Sequence, residues 1–184
     1  MLTIICLLRS GGDFDASHVE RLKRQCSVTP HERFICFSDV DVPCERIELK
    51  HRSLRWWGQL EMFAVNFDGP CLYFDLDTDI LADPKIPIER GDFWSLGWKK
   101  GPKMEPTSGI MAWWGDFSHI YRQSLEEPKN WFRWVNNVIF KHVQPKIIQD
   151  HVPGFYSYKR DCRKRGVPED ARVIFFPGVP RPWD

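Results

Sequence analysis

The chain has 184 residues, and 42% of them are hydrophobic, which is enough for one domain with a buried core and argues against disorder. Lys and Arg number 26 against 25 Asp and Glu, so the net charge is +1 at pH 7. This balance argues against a protein that binds nucleic acid along its whole surface, so no nucleic-acid partner is expected. The six cysteines form no Cys-x-x-Cys pair, which is typical of reduced thiols and predicts a cytoplasmic protein.

The first half of the chain alternates predicted strands with a predicted helix. Leu2–Leu8 is a continuous apolar run, typical of a parallel strand buried on both faces, and it is too short to cross a bilayer or to form an export signal. Ser17 and Glu20 have the spacing of a capping box, so we expect a helix to begin there. Phe34–Phe37 is predicted as the second strand and Arg46–Leu49 as a short third strand.

The second half continues the alternation. Apolar residues at three- to four-residue spacing predict a helix from Ser53 to about Asp68, where Gly69 and Pro70 end it. The later predicted elements are strands at Cys71–Phe74, Asp92–Trp98, Ile110–Trp114 and Val173–Phe176, a loop at Lys99–Ser108, a helix from about Pro128 to Ile139 that includes Trp131 and Trp134, and a tail at 177–184. This order predicts an α/β fold over residues 1–184, a single domain with a mainly parallel central sheet flanked by helices.

Three carboxylates follow the predicted strand at Cys71–Phe74. Asp75, Asp77 and Asp79 occupy every second position, so in an extended chain their side chains would project to one side. That much negative charge beside a buried strand is costly unless a cation neutralises it, and a divalent metal that carries phosphates is a natural candidate. Asp39 also follows a predicted strand, and ligands of α/β sheets bind at the carboxyl ends of strands. A ligand site is therefore predicted at this edge of the sheet.

The segment Tyr73–Asp79 resembles the Asp-x-Asp motif of nucleotide-sugar glycosyltransferases with the GT-A fold. In pattern it is nearest to the family 8 type, the glycogenin-like and bacterial galactosyltransferase-like enzymes, and to short phage and bacterial relatives. Three further segments resemble the same family in the same order: Trp56–Phe63 is similar to Trp-Trp-x-Lys-x-x-Leu-Phe, Ser108–Met111 to a Ser-Gly strand entry, and Gly178–Trp183 to a closing Gly-x-x-Lys-Pro-Trp. Together these matches span nearly the whole chain.

The resemblance implies a glycosyltransferase that moves a sugar from a nucleotide-diphosphate sugar, with a UDP-sugar as the expected donor, to a carbohydrate or other hydroxyl acceptor. Asp75 and Asp77 would hold Mn²⁺ or Mg²⁺, with Asp79 as a further ligand, and the metal would bridge the diphosphate and stabilise the leaving charge. The residues implied to bind the donor are Leu8, Arg9, Ser10, Asp39, Trp57, Gln59, Ser108, Gly109, Gly178, Arg181 and Trp183. The tail at 177–184 would fold over this site. Asp150 is the candidate catalytic base, although an Asp after an Ile-Ile pair is as often a helix cap.

The chain departs from the family pattern at three positions. Phe175 and Pro177 stand where relatives carry a metal-binding His, and Gln59 stands where a Lys is common. These departures leave a second function open, a nucleotide-sugar or carbohydrate-binding module of the same fold that has lost turnover. A phosphatase of the haloacid dehalogenase type also has Asp-x-Asp after a strand, but that motif opens its domain and continues to Thr or Val where this chain has Asp79. For a metal-dependent nuclease, the sequence shows no His or Lys partner at a recognisable spacing.

Overall fold

The computed structural model describes residues 1–51, 57–100, 103–126 and 135–184. Its strands are β1 (Thr3–Leu8), β2 (Arg33–Ser38), β3 (Glu45–Glu48), β4 (Cys71–Phe74), β5 (Thr78–Ile80), β6 (Phe93–Lys100), β7 (Lys103–Trp113), β8 (Lys146–Ile147), β9 (Phe155–Ser157) and β10 (Val173–Phe175). Its helices are α1 (Ala16–Gln25), α2 (Gly58–Glu61), α3 (Ser118–Glu126), α4 (Val135–His142) and α5 (Ile148–His151). Short 3₁₀ turns at Cys26–Val28 and Met62–Ala64 follow α1 and α2, and a π-helical turn covers Tyr158–Cys162.

Seven of the described strands form the central sheet, in the order β3-β2-β1-β4-β7-β6-β8. Neighbouring strands run parallel except at β7, which is antiparallel to both β4 and β6. The strands β5, β10 and β9 form a second, three-stranded sheet, in which β10 is antiparallel to β5 and parallel to β9. The predicted α/β fold with a mainly parallel central sheet is therefore confirmed.

Strand β1 lies in the middle of the core. Ile4, Cys6 and Leu8 pack into a cluster that includes residues of α1 and of the second sheet, while Ile5 packs into another cluster with residues of α2, α3 and α4. Because both faces of the sheet are covered, this central strand is apolar at consecutive positions rather than at alternate ones. None of the described helices combines the length and apolarity needed to cross a bilayer.

The carboxyl ends of β1, β2 and β4 lie at one edge of the central sheet, because β1 pairs in parallel with both of the others. The residues that follow these strands, Arg9, Asp39 and Asp75, are therefore brought to the same edge. Strand β7 passes this edge in the opposite direction, and the carbonyl of Gly109 accepts a hydrogen bond from the backbone N–H of Asp75 at 2.9 Å. The fold thus gathers the predicted ligand-binding positions.

Helix α1 begins earlier than predicted. Asp15 is its N-cap, since the Asp15 carboxylate accepts a hydrogen bond from the Ser17 backbone N–H at 2.9 Å and His18 Nδ1 accepts from the Asp15 N–H. The predicted capping box of Ser17 and Glu20 is therefore wrong. A carboxylate caps at least as well as a hydroxyl and is favoured by the positive end of the helix dipole, so Asp15 takes this role.

The predicted loop at Lys99–Ser108 is wrong, because most of this segment is paired strand. Strands β6 and β7 pair from Leu96 opposite Thr107 to Lys100 opposite Lys103. The Gly and Pro content indicated a loop, but the backbone pairing between the two segments overrides that local preference. Since β7 pairs with β4 only at Ile110–Trp113, the hairpin projects past the carboxyl end of β4.

The predicted helix from Ser53 to Asp68 is also shorter in the structure, and residues 52–56 lie outside its described part. Helix α2 and its 3₁₀ turn end at Ala64, after which Val65 is extended, with φ −105° and ψ 125°. Phe67 nevertheless packs into the same core cluster as Leu60 of α2. The predicted apolar spacing extended past α2 because Phe67 of this extended segment is also buried.

The sequence did not predict helix α3. Helix α4 is described from Val135 onwards, while the predicted start near Pro128 and the side chains of Trp131 and Trp134 lie outside the described residues.

Candidate functional site

Asp75 follows β4 directly and is held by two side chains. The Tyr73 hydroxyl and the Gln59 side-chain amide donate to the same oxygen, Asp75 Oδ1, at 2.5 and 3.0 Å. The Gln59 amide also donates to the Tyr73 hydroxyl at 2.9 Å. Gln59 is only 8% exposed, so α2 carries a buried amide whose described contacts serve to orient this carboxylate.

The other carboxylate oxygen of Asp75 faces Gly109. A Cβ atom at Gly109 would lie 3.4 Å from Asp75 Oδ2, which is tight, so the glycine keeps the space beside this oxygen open. The neighbouring residue is fixed from another element, because the Ser108 backbone N–H donates to the side-chain oxygen of Asn136 at 2.9 Å. The Ser-Gly pair at this strand edge therefore gives room next to the carboxylate.

Asp77 lies in a turn between β4 and β5, where it meets the C-terminal tail. Arg181 donates from Nη1 to Asp77 Oδ2, and the Phe176 backbone N–H donates to the Asp77 carbonyl at 3.3 Å. The side chains of Asp77 and Arg181 are 16% and 17% exposed, so the ion pair is largely removed from water. This contact places a cation beside one of the two predicted metal ligands.

The two carboxylates disfavour each other's charge. Burial, and then the negative charge of Asp77, raise the pKa of Asp75 to about 8, although the donors Tyr73 and Gln59 oppose the shift. Burial also raises the pKa of Asp77, against the effect of Arg181. Asp75 is therefore protonated at neutral pH unless a further cation enters, and both groups would ionise more readily beside one.

In the metal-free protein, we expect Asp75→Asn to increase the free energy of unfolding, and to do so more at about pH 8 than at about pH 5. The pKa of Asp75 lies near 8 when folded and near an ordinary value of about 3.9 when unfolded. Between these values the folded chain binds more protons than the unfolded chain, so wild-type stability falls as the pH rises, whereas Asn does not titrate. Thermal unfolding in a chelator at both pH values measures this difference. A stability gain that does not grow with pH would contradict it.

Asp79 is held by α1 instead of lying beside the other two acids. Arg21 Nη1 and the Gln25 amide donate to Asp79 Oδ1 at 2.5 and 2.9 Å. The chain turns at Leu76–Asp77, so the expectation that the three acids share one face of an extended strand is wrong. Within the described ranges, no group of three or more His, Cys, Asp or Glu side chains is arranged to hold a metal ion.

The exit of β1 forms a second polar group at the same edge. The backbone N–H and the hydroxyl of Ser10 donate to the two oxygens of Asp39 at 2.8 and 2.7 Å. Burial opposes ionisation of Asp39, but these hydrogen bonds outweigh it and lower its pKa. Arg9 donates to the His51 carbonyl at 2.7 Å, and the side chain of Leu8 belongs to the core. An ionised carboxylate on an ordered loop is suited to bind hydroxyl groups.

Glu61, which the sequence pattern does not mark as a site residue, organises the segment beside Arg9. Its carboxylate accepts hydrogen bonds from the backbone N–H groups of Lys50 and His51 at 2.7 and 3.0 Å. Glu61 is only 5% exposed. The available signal was its spacing, because Glu61 lies four residues after Trp57 and so places an acid on the predicted apolar face of the helix.

Glu61→Ala is expected to lower the free energy of unfolding by about 3 kcal/mol, because two backbone N–H groups lose a charged acceptor and a buried volume is left empty. Chemical denaturation measures the effect. Glu20→Ala is the matched control, since Glu20 is exposed on α1 and should change stability by less than about 0.5 kcal/mol. Equal losses in the two variants would show that Glu61 has no special structural role.

The tail packs on the start of α1. The Trp183 ring lies 4.2 Å from the His18 ring and 5.8 Å from the Phe14 ring, measured between centroids, and Arg21 Cζ lies 5.3 Å from the Trp183 centroid. Arg181 lies over Phe14 at 5.0 Å. These contacts hold the tail next to the turn that carries Asp77.

Two further predicted site residues lie at the start of α2 and on α5. Trp57 is partly buried against the core cluster under α2. Asp150 is exposed on α5, which directly follows β8. In the central sheet, β7 and β6 lie between β4 and β8. The preceding residue, Gln149, is used structurally, since its amide accepts from the Gly97 N–H and donates to the Gly97 carbonyl at 2.8 and 3.0 Å.

A cavity of about 400 Å³ opens elsewhere, lined by 66–68, 90–91 and 114–116. These segments precede β4 and β6 and follow β7, so the cavity lies at the opposite edge of the sheet from Asp75.

Comparisons with known proteins find similar structures but no match by sequence. No protein-family model matches the chain, and no curated protein matches it significantly. The glycosyltransferase GlyE of Streptococcus pneumoniae TIGR4 superposes with a TM-score of 0.67 at 8% identity over 100% of this chain, and its apo form with 0.64 at 8% identity over 99%. The galactosyltransferase LgtC, solved with donor and acceptor sugar analogues, gives 0.59 at 10% identity over 99%.

The share of each neighbour that is covered differs. The chain spans 57% of GlyE and 56% of its apo form, but 89% of LgtC. At these identities the likeness concerns the fold. The protein therefore has the GT-A fold of these glycosyltransferases, as its sequence predicted.

Proposed function

We propose that the protein transfers a sugar from a nucleotide-diphosphate sugar to a hydroxyl group of an acceptor. The observation that carries this proposal is the buried carboxylate pair, Asp75 and Asp77, at the carboxyl edge of a GT-A sheet with a tail arginine beside it. The neighbours in structure are glycosyltransferases, which supports the same class of reaction here. A UDP-sugar remains the expected donor.

The carboxylate pair fits a divalent cation that arrives with the diphosphate. Mg²⁺ is commonly held by one or two carboxylates, with substrate phosphates and water completing its shell, and Asp75 and Asp77 can supply the two carboxylates. A cation has space at Asp75 Oδ2 because Gly109 has no side chain, and burial raises the pKa of both acids, so a bound cation would favour their charged forms. Such an ion supplies Lewis-acid charge that stabilises the leaving diphosphate. Asp79 is left out of this proposal because it is paired with Arg21.

The chain's own side chains would orient the donor around this pair. Tyr73 and Gln59 fix the carboxylate of Asp75, and Ser10 with Asp39 offers hydroxyl and carboxylate groups for the ribose and base. Arg181 has a planar guanidinium that suits phosphate oxygens, so we propose that it moves its hydrogen bonds from Asp77 to the diphosphate when the donor binds.

The acceptor hydroxyl must lose its proton during transfer. Asp150 is the sequence candidate for the base, and it is exposed on α5, directly after β8. In a retaining reaction the leaving diphosphate can itself accept the proton.

A binding module without turnover is the second candidate. Phe175 is buried in β10, and Pro177 follows it, so neither position offers the metal-binding imidazole of the family pattern. A weakly held metal would stabilise the leaving diphosphate poorly, so such a site would bind a nucleotide sugar without transferring its sugar.

Calorimetry with a panel of nucleotide sugars, with and without Mn²⁺ or Mg²⁺, separates these functions. Metal-dependent binding with slow hydrolysis of the sugar nucleotide supports the transferase. Metal-independent binding without turnover supports the module. Absence of binding to every nucleotide sugar would contradict both.

A further inference from the structure

The second sheet brings Lys159 to the tail. Strands β9 and β10 run parallel, with Ser157 opposite Phe175, so the chain leaves both strands in the same direction. The next residues remain in contact, since the rings of Tyr158 and Phe176 stack at 4.7 Å between centroids. Lys159 and Gly178 follow on the two segments.

The ammonium group of Lys159 lies against the backbone of Gly178. A Cβ atom at Gly178 would lie 3.4 Å from Lys159 Nζ, and Gly178 has a φ of +76°, a conformation that favours glycine. Lys159 is exposed, and in the described part of the chain no carboxylate forms an ion pair with it. By contrast, Arg181 is paired with Asp77 and Arg21 with Asp79.

This placement puts a second cation on the same side of the site as Arg181. The Phe176 N–H binds the Asp77 carbonyl, so the tail passes Asp77 immediately before it reaches Gly178 and Lys159. A divalent cation held by Asp75 and Asp77 has its charge offset by these two carboxylates, so the diphosphate keeps more negative charge than the one guanidinium of Arg181 can neutralise. A second positive group near the phosphates would therefore stabilise the bound donor.

We propose that Lys159 binds the diphosphate of the donor together with Arg181. This inference rests on the proposed function and adds a residue that lies outside the four segments that resemble the glycosyltransferase family. An exposed lysine is ordinarily solvated, and what distinguishes Lys159 is its contact with the glycine of the tail. Because Gly178 has no side chain, the ammonium group of Lys159 can lie directly against the backbone of the tail.

The test compares full-length Lys159→Gln with Lys164→Gln, a matched exposed lysine a few residues further along the chain. The probe is whichever of UDP, GDP, ADP, CDP and TDP binds wild type most tightly, with its nucleoside as a reference, measured by calorimetry in Mg²⁺ and in a chelator. Lys159→Gln should weaken diphosphate binding about ten-fold and leave nucleoside binding unchanged. The loss should be larger at low salt, because the contact is exposed and easily screened. Lys159→Arg should retain most of the affinity.

The outcomes separate this inference from the proposed function. If wild type binds a nucleoside diphosphate and Lys159→Gln binds it as tightly as Lys164→Gln does, the role of Lys159 is refuted while the function stands. If wild type binds none of the five diphosphates, the proposed function fails and the role of Lys159 fails with it. Unchanged thermal unfolding of both variants confirms that a change in affinity reports on binding.

Discussion

Asp77→Asn is expected to abolish metal-dependent nucleotide binding while the protein remains folded. The change preserves shape and removes one of the two charges that would hold the cation, so affinity in Mg²⁺ or Mn²⁺ should fall by about 100-fold or more. The fold should tolerate it, because the amide oxygen still accepts a hydrogen bond from Arg181 and burial penalises the charge that is lost. Calorimetric titration of the donor in metal and in chelator measures the effect.

Asp79→Asn is the control for this variant. It removes a charge of the same kind from the same stretch, but Asp79 pairs with Arg21 and Gln25 on α1. It should therefore lower stability without removing the metal dependence of binding. Metal-dependent affinity that is unchanged in Asp77→Asn, or lost equally in Asp79→Asn, would show that the metal assignment is wrong.

Removal of the tail before Gly178 is expected to weaken donor binding by about 100-fold. Truncation removes Arg181, the one cation among the described residues that forms an ion pair with Asp77, together with the Trp183 ring that packs on His18. Trp183→Ala should have a smaller effect, about ten-fold, because the arginine remains but its segment loses a docking contact. Donor titration of the three proteins gives the comparison.

Val28→Ala provides the control. Val28 is 46% exposed, close to the 40% of Trp183, but it lies in the turn between α1 and the start of β2, at the opposite edge of the sheet. Its loss should leave donor affinity unchanged. If the truncated protein binds the donor as well as the full chain does, the tail has a structural role only.

The sequence predicted the parts of the fold that depend on local pattern. The apolar runs at Leu2–Leu8 and Cys71–Phe74 are strands because both lie in the middle of a covered sheet. The paired segment at Lys103–Ser108 was missed because its pairing with β6 outweighs the local preference of Pro106 and of the Gly-Pro pair before it. Helix α3 was missed as well.

The acidic residues of the candidate site could be predicted from the sequence, but the side chains that bind them could not. Asp75 and Asp77 could be placed at a sheet edge because they follow a buried strand. The separation of Asp79 could not be predicted, since it depends on a turn and on Arg21, which is distant in sequence. Lys159 meets the tail only through the pairing of β9 with β10.

The two donors on Asp75 also determine how many of its oxygens a metal can reach. Tyr73 and Gln59 both bind Oδ1, and the space beside Gly109 is at Oδ2. A cation at this carboxylate would therefore be bound in a monodentate manner. Ca²⁺ takes about six to eight oxygens and often accepts a carboxylate in a bidentate manner, whereas Mg²⁺ keeps a compact octahedron with few protein ligands. The neighbours that orient Asp75 would thus favour a small divalent ion over a large one.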